Sequence, residues 1–183
     1  REYAAAGIDP HQVETGAVII TGETAKKKNA DAVLAGLAGL AGEFVVSVAG
    51  PHLESLISGR GAGAAYYAQT HFATVTNVDI GGGSANSAIF RGKDFVAAAA
   101  MNFGGRILEI DPTSGRITHI ATPAQLILAS CGLRIKVGDA PTLTDLRQFT
   151  DRMAALTQEL IEGATSPLAQ QIYLTPPSPA SGV

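Results

Sequence analysis

The chain has 183 residues, 16 acidic and 13 basic side chains and a net charge of −3. That length suits one domain of about 150 residues, or one and a fraction, and a hydrophobic fraction of 46% excludes wholesale disorder. The mild acidity argues against a dedicated nucleic-acid binder, which carries a basic domain. Cys131 is the only cysteine, so no internal disulfide can form and a reducing compartment fits; it reads as a buried small hydrophobe. The longest small-apolar run, Ala32 to Gly42, is half of the roughly 20 residues a membrane span needs. Arg1-Glu2-Tyr3 opens no apolar signal-peptide core. A first residue other than Met and a Pro/Ser-rich end, LTPPSPASGV, lead us to expect a piece of a longer protein.

Residues 1–16 read as polar and irregular. Ala17 to Thr21 is a short apolar strand. Thr24 can cap a helix with Lys26, Lys27 and Lys28 in its first turns, as a solvated face or an anion contact. Glu43 to Ala49 is the next strand, and Pro51 suits the first turn of a helix to about Ile57. Ser58 to Gly63 reads as a glycine-rich loop, and Ala64 to Thr70 as a further helix.

From Ala73 the pattern changes to strands. Thr74 to Ile80 is β-branched, enters Gly81-Gly82-Gly83-Ser84 and returns at once through Ala85 to Phe90. Arg91 to Asp94 is a turn and Phe95 to Asn102 a third strand, so two antiparallel hairpins follow each other. Gly104-Gly105 precedes Ile107 to Ile110, and the turn at Thr113 to Arg116 leads to Ile117–Ile120. Pro123 opens a helix to Ser130, and Leu133 to Val137 is a strand candidate. Thr142 with Asp145 predicts a capping box for a helix over 143–163. Its stripe Leu143, Leu146, Phe149, Met153, Leu156 and Leu160 reads as core. Gln171 to Leu174 can begin one more strand. The fold class is α/β, a mixed sheet with an antiparallel meander and helices packed on it.

The chemistry concentrates in Val78-Asp79-Ile80-Gly81-Gly82-Gly83-Ser84. Three glycines remove every Cβ from the turn and permit positive φ. Successive N–H groups can then converge on an anion, and Ser84 adds a hydroxyl donor. Asp79 could hold a hydrated Mg²⁺ beside the phosphates. A tight hairpin whose glycines serve only turn geometry is the competing reading. No Gly-Lys-Ser/Thr follows and the loop leads to a strand, so this is neither a Walker A loop nor a dinucleotide fingerprint. His11, His52, His71 and His119 form no zinc spacing, and no GxSxG elbow is present. Arg60 and Arg106 lie beside glycine segments and could meet phosphate or a domain interface.

The segment DIGGGS resembles the second phosphate-binding hairpin of the actin-like ATPase superfamily, with its ribonuclease H-like fold. In the chaperone branch of that superfamily a Gly-Gly pair also follows the third strand and lies by the nucleotide, as Gly104-Gly105 would here; a simple sheet bend is the alternative. GAVIITGETA at 16–25, Asn29-Ala30, Phe44-Val45-Val46, Ala49-Gly50-Pro51, Gly59 to Gly63, DIGGGS and Asn102 to Arg106 resemble, in this order, the EutA family of ethanolamine ammonia-lyase reactivating factors. The similarity covers nearly the whole chain.

The resemblance implies an ATP- and Mg²⁺-dependent chaperone-like factor that promotes exchange of damaged cobalamin from ethanolamine ammonia-lyase. It implies Asp79 as the catalytic and Mg²⁺-positioning residue, and Gly81, Gly82, Gly83, Ser84, Gly104 and Gly105 as nucleotide-binding. Residues 1–72 would end domain I and 73–183 would begin domain II. The superfamily's first phosphate hairpin, Asp-x-Gly-Thr-Thr, is not in this chain. Its exopolyphosphatase-like members carry a carboxylate after a Ser-Gly; here Arg60 and Gly61 follow Ser58-Gly59, leaving Glu23 and Glu54 as candidates to position water. The expected setting is cytoplasmic, without membrane or nucleic acid; homo-oligomerisation and a surrounding microcompartment stay open. Two rivals remain: a kinase or phosphatase of the same fold acting on a small substrate, and a non-enzymatic interaction module that has lost nucleotide.

Overall fold

The computed structural model describes residues 1–9, 12, 13, 15–20, 32, 36, 43–48 and 50–179. They form two compact units that divide between Gly50 and Pro51. The first unit holds a one-turn helix, α1 (Glu2–Ala5), where the sequence suggests irregular chain, and two strands, β1 (Thr15–Ile20) and β2 (Glu43–Val48). These pair in parallel, from Thr15 opposite Glu43 to Ile20 opposite Val48. A parallel pair needs a long crossover, and residues 21–42 separate the two strands in sequence. The helix expected there lies outside the described residues, apart from helical Ala32 and Gly36.

The second unit is built on an antiparallel meander, β3 (Thr74–Ile80), β4 (Ala85–Arg91) and β5 (Asp94–Met101), with β4 in the centre. The successive hairpins expected from the β-branched runs are present. Six of the seven residues of β4 are buried, because both faces are covered. On one face, helices α2 (Pro51–Gly61) and α3 (Ala64–His71) enclose Ala64, Ala68, Ala88 and Phe90. On the other, Ala85, Ala99 and Met101 pack with α4 (Thr122–Ser130), α5 (Leu143–Glu162) and α6 (Pro167–Ile172). Ala85 and Ala88 differ in parity along the strand, so they point to opposite faces. A second hairpin, β6 (Leu108–Ile110) and β7 (Ile117–Ile120), stands apart from the meander's ladder.

Four local expectations change. The segment 58–63 is a loop only at its end, since α2 runs to Gly61 and only Ala62 and Gly63 turn. A Cβ on Gly59 would lie 2.5 Å from the Phe90 ring, so this glycine lets α2 approach β4. Leu133 to Val137 forms no strand; Leu133 and Ile135 pack against the core, while Gly138 N–H donates to Ile117 O and Ile117 N–H to Asp139 O. Cys131 is half-exposed at the end of α4 rather than buried. Gln171 and Ile172 end α6, and only Tyr173 bridges to Met101.

Residues 172–175 nevertheless cover the outer edge of β5. Asn102 N–H donates to Ile172 O and Leu174 N–H to Ala100 O, both at 2.8 Å. Ala100 N–H donates to Thr175 Oγ1 at 3.0 Å. Among the described residues no helix is long and apolar enough to cross a membrane.

The α5 stripe buries Phe149, Leu156 and Leu160, whereas Leu143, the first residue of the helix, is 73% exposed. The capping box is present in full. Asp145 N–H donates to Thr142 Oγ1, and Thr142 N–H and Oγ1 donate to Asp145 Oδ2. These bonds hold the Asp145 carboxyl below the ordinary value of 3.8. Its contribution to stability is therefore complete at neutral pH and is lost as pH falls through 3.8 toward its lower folded value. Thr142→Ala is expected to cost about 1 kcal/mol at neutral pH and to flatten the acid limb of stability. Urea melts of both proteins across acid pH check this; parallel acid limbs would contradict it.

Candidate functional site

Strand β3 presents Asn77 and Asp79 on one face, two residues apart, toward α2. There Ser58 Oγ donates to Asp79 Oδ2 at 2.8 Å, and Asn77 Nδ2 contacts Ser58 Oγ at 3.4 Å. The carboxylate is thus braced by a helix hydroxyl, with its second oxygen outside that bond. Across the ladder, Asp79 pairs with Asn86. Asn86 is 2% exposed, its Nδ2 lies 3.4 Å from Ser84 Oγ, and its Oδ1 is buried without a partner among the described residues. Ser58, Asp79, Ser84 and Asn86 are therefore one polar cluster at the end of the β3–β4 hairpin.

The turn is closed by Gly81 N–H donating to Ser84 O at 2.9 Å. Among the described residues, the N–H groups of Gly82 and Gly83 donate no hydrogen bond. None of Gly81, Gly82 and Gly83 adopts positive φ, so the conformational argument for these glycines does not hold. What they provide is bare surface. A Cβ on Gly83 would meet nothing within 4 Å, and one on Gly81 only Ser84 O at 3.6 Å. The chain itself has room for side chains there; leaving them out lets a ligand reach the backbone.

The second glycine pair meets the first. After β5 the chain returns, Gly105 N–H donates to Gly81 O at 2.9 Å and Arg106 N–H to Gly82 O at 2.7 Å. A Cβ on Gly104 would lie 2.5 Å from Gly81 O and 2.7 Å from Gly82 C. Gly104 is thus required by close backbone approach, while Gly105 is exposed, its nearest such atom at 3.8 Å.

Around this core, Glu54 lies one helical turn before Ser58 on α2 and is half-buried. Arg60 is exposed at the end of α2. Glu23 and Lys26 to Lys28 lie outside the described residues. Ser58, Asn77 and Asn86 were not singled out as partners of Asp79 by sequence. The clue available was parity: Asp79 and Asn77 share a face, as do Ser84 and Asn86.

The donor set suits an anion on the amide N–H groups with a hydrated divalent cation beside it. Among the described residues no group of three or more His, Cys, Asp or Glu could hold a metal ion. A cation here would keep its waters, and the unpaired Asn86 Oδ1 is an acceptor of the kind such waters need.

The sequence profile for "Ethanolamine utilisation protein EutA" matches residues 1–182. The chain is 46% identical over 182 residues to the "Ethanolamine ammonia-lyase reactivase EutA" of Escherichia coli (strain K12). It is 44% identical over 179 residues to that of Salmonella typhimurium (strain LT2). Each match covers 98% of this chain and 38% of the relative, so the chain spans 38% of the length of these proteins. Among solved structures, the type II variant of the Aquifex aeolicus Ppx/GppA phosphatase is similar, with a TM-score of 0.42 and 20% identity, over 78% of this chain and 37% of that one.

Proposed function

The chain belongs to the family of the ethanolamine utilisation protein EutA, and from that premise we propose that it supplies a phosphate-binding part of an ATP-dependent reactivating factor for ethanolamine ammonia-lyase. The observation that carries the nucleotide reading is the bare turn Gly81–Gly83, where the N–H groups of Gly82 and Gly83 donate to none of the described residues, with a braced carboxylate two residues upstream. Gly82 and Gly83 would donate to terminal phosphates, with Ser84 adding its hydroxyl. Asp79, held by Ser58, would orient the waters of Mg²⁺. Gly104 and Gly105 would keep the neighbouring backbone close and bare. Bound Mg-ATP supplies the charge and the hydrolysable bond that make two states of the protein differ in energy.

In this reading residues 1–72 end one actin-like domain and 73–183 begin the other, with the rest of the cleft on the longer protein. The nucleotide acts through differential affinity: a domain arrangement that holds it better is also the one that favours an open lyase, from which damaged cobalamin leaves. Hydrolysis is slow and coupled to that cycle. The single cysteine suits the reducing cytoplasm in which we place it.

The test uses the full-length protein and ethanolamine ammonia-lyase inactivated by cyanocobalamin, with adenosylcobalamin supplied. Recovery of lyase activity is expected to require both ATP and Mg²⁺. Recovery that is equal without nucleotide, or no recovery despite measurable Mg-ATP binding, would sink the proposal.

A further inference from the structure

Arg106 is a charged residue that the backbone fixes against the glycine turn. Its N–H donates to Gly82 O and that of Gly105 to Gly81 O. Gly104, which has no room for a Cβ, packs on the same two residues. Three consecutive residues are thus locked to the turn, and the Arg106 side chain starts from a defined place.

The stem of that side chain follows the turn. A Cβ on Gly82 would lie 3.4 Å from Arg106 Cδ and 3.7 Å from its Cβ and Cγ. The aliphatic part therefore lies over the bare backbone of Gly82, where a Cβ would rest against it in ordinary van der Waals contact. Arg106 is exposed. Among the described residues no carboxylate pairs with its guanidinium; Arg152 pairs with Glu159, and Asp79 takes its hydrogen bond from Ser58. A permanently charged fork without a counter-ion among the described residues, beside amide N–H groups that donate to none of them, is the chemistry that recognises a phosphoryl group.

We propose that Arg106 is a phosphoryl-binding residue of this turn, acting with the N–H groups of Gly82 and Gly83. The inference rests on the nucleotide reading above and deepens it. A nucleotide and a free phosphoryl anion present the same chemistry, so the experiment must separate them.

Calorimetric titration of the full-length protein with Mg-ATP and, separately, with pyrophosphate compares the wild type with Arg106→Gln. Glutamine keeps part of the stem over Gly82 and removes the charge. Mg-ATP affinity is expected to fall at least about tenfold and its dependence on salt to flatten, with Arg106→Lys recovering part of both. Equal Mg-ATP affinity in wild type and Arg106→Gln overturns the inference and leaves the nucleotide reading standing. A wild type that binds pyrophosphate but no Mg-ATP, with pyrophosphate lost in Arg106→Gln, overturns the nucleotide reading and keeps Arg106 as a site for a free phosphoryl anion. A wild type that binds neither overturns both. If Arg106→Gln melts far below the wild type, Arg106→Met replaces it under the same criteria.

Discussion

Gly104→Val is expected to destabilise the second unit by about 3 kcal/mol or more and to abolish ligand binding at the turn. Even a lone Cβ at this position would lie 2.5 Å from Gly81 O, 2.7 Å from Gly82 C and 2.8 Å from Gly82 O. These are backbone atoms, so no rotamer change relieves the contact. The segment must move away, and the bonds from Gly105 N–H to Gly81 O and from Arg106 N–H to Gly82 O break with it. Phe103 and Ile107, buried on either side, would be pulled from the core at the same time. The control is Gly105→Ala, whose Cβ would come no nearer than 3.8 Å to Gly81 O; it should stay within about 0.5 kcal/mol of wild type. Urea midpoints of the three proteins decide. Equal midpoints for Gly104→Val and wild type would mean that the two glycine segments do not touch.

Asp79→Ala is expected to remove ATP-dependent recovery of ethanolamine ammonia-lyase, raising the Mg²⁺ concentration needed for nucleotide binding by about 100-fold. The substitution removes the carboxylate at the mouth of the hairpin and leaves Ser58 Oγ without its 2.8 Å acceptor. Asp79→Asn separates the two consequences, because it keeps an oxygen for Ser58 while removing the charge. If the charge is what serves the hydrated cation, Asn should fail as Ala does, with an unchanged melting temperature. Full recovery with Asp79→Ala would move the nucleotide away from this turn.

The meander was legible because its signals are local. β-branched runs broken by Gly81–Ser84 and Arg91–Asp94 specify two hairpins whatever packs on them, and Thr142 with Asp145 specifies a helix start from four residues. Ser58 to Gly61 is helical for a reason that is not local. Glycines count as helix breakers in isolation, whereas Gly59 is set by a contact with Phe90, thirty-one positions away. Leu133 and Ile135 alternate as a strand would, but the alternation serves the core rather than a ladder. The turn at Gly81–Gly83 was legible as a turn, yet its glycines serve no conformational need, since none of them adopts positive φ. Nothing near Gly104 in the chain reveals that its neighbour is Gly81; β4 and β5 lie between them. The Ser58–Asp79 bond, which joins a helix to a strand, is non-local in the same way.

The strap that residues 172–175 lay along β5 has a consequence for synthesis. Ala100 and its partner Thr175 are 75 positions apart. At ordinary elongation rates, on the order of 4 to 15 s pass between the emergence of one and of the other. During that interval the outer edge of the meander has left the ribosome without its cover and offers unpaired N–H and C=O groups to any passing strand. Helices α4, α5 and α6 must all be made before the edge can be sealed. The nascent chain is therefore at its stickiest over that interval, and the hydrogen bonds that end it are those that cap this edge of the sheet.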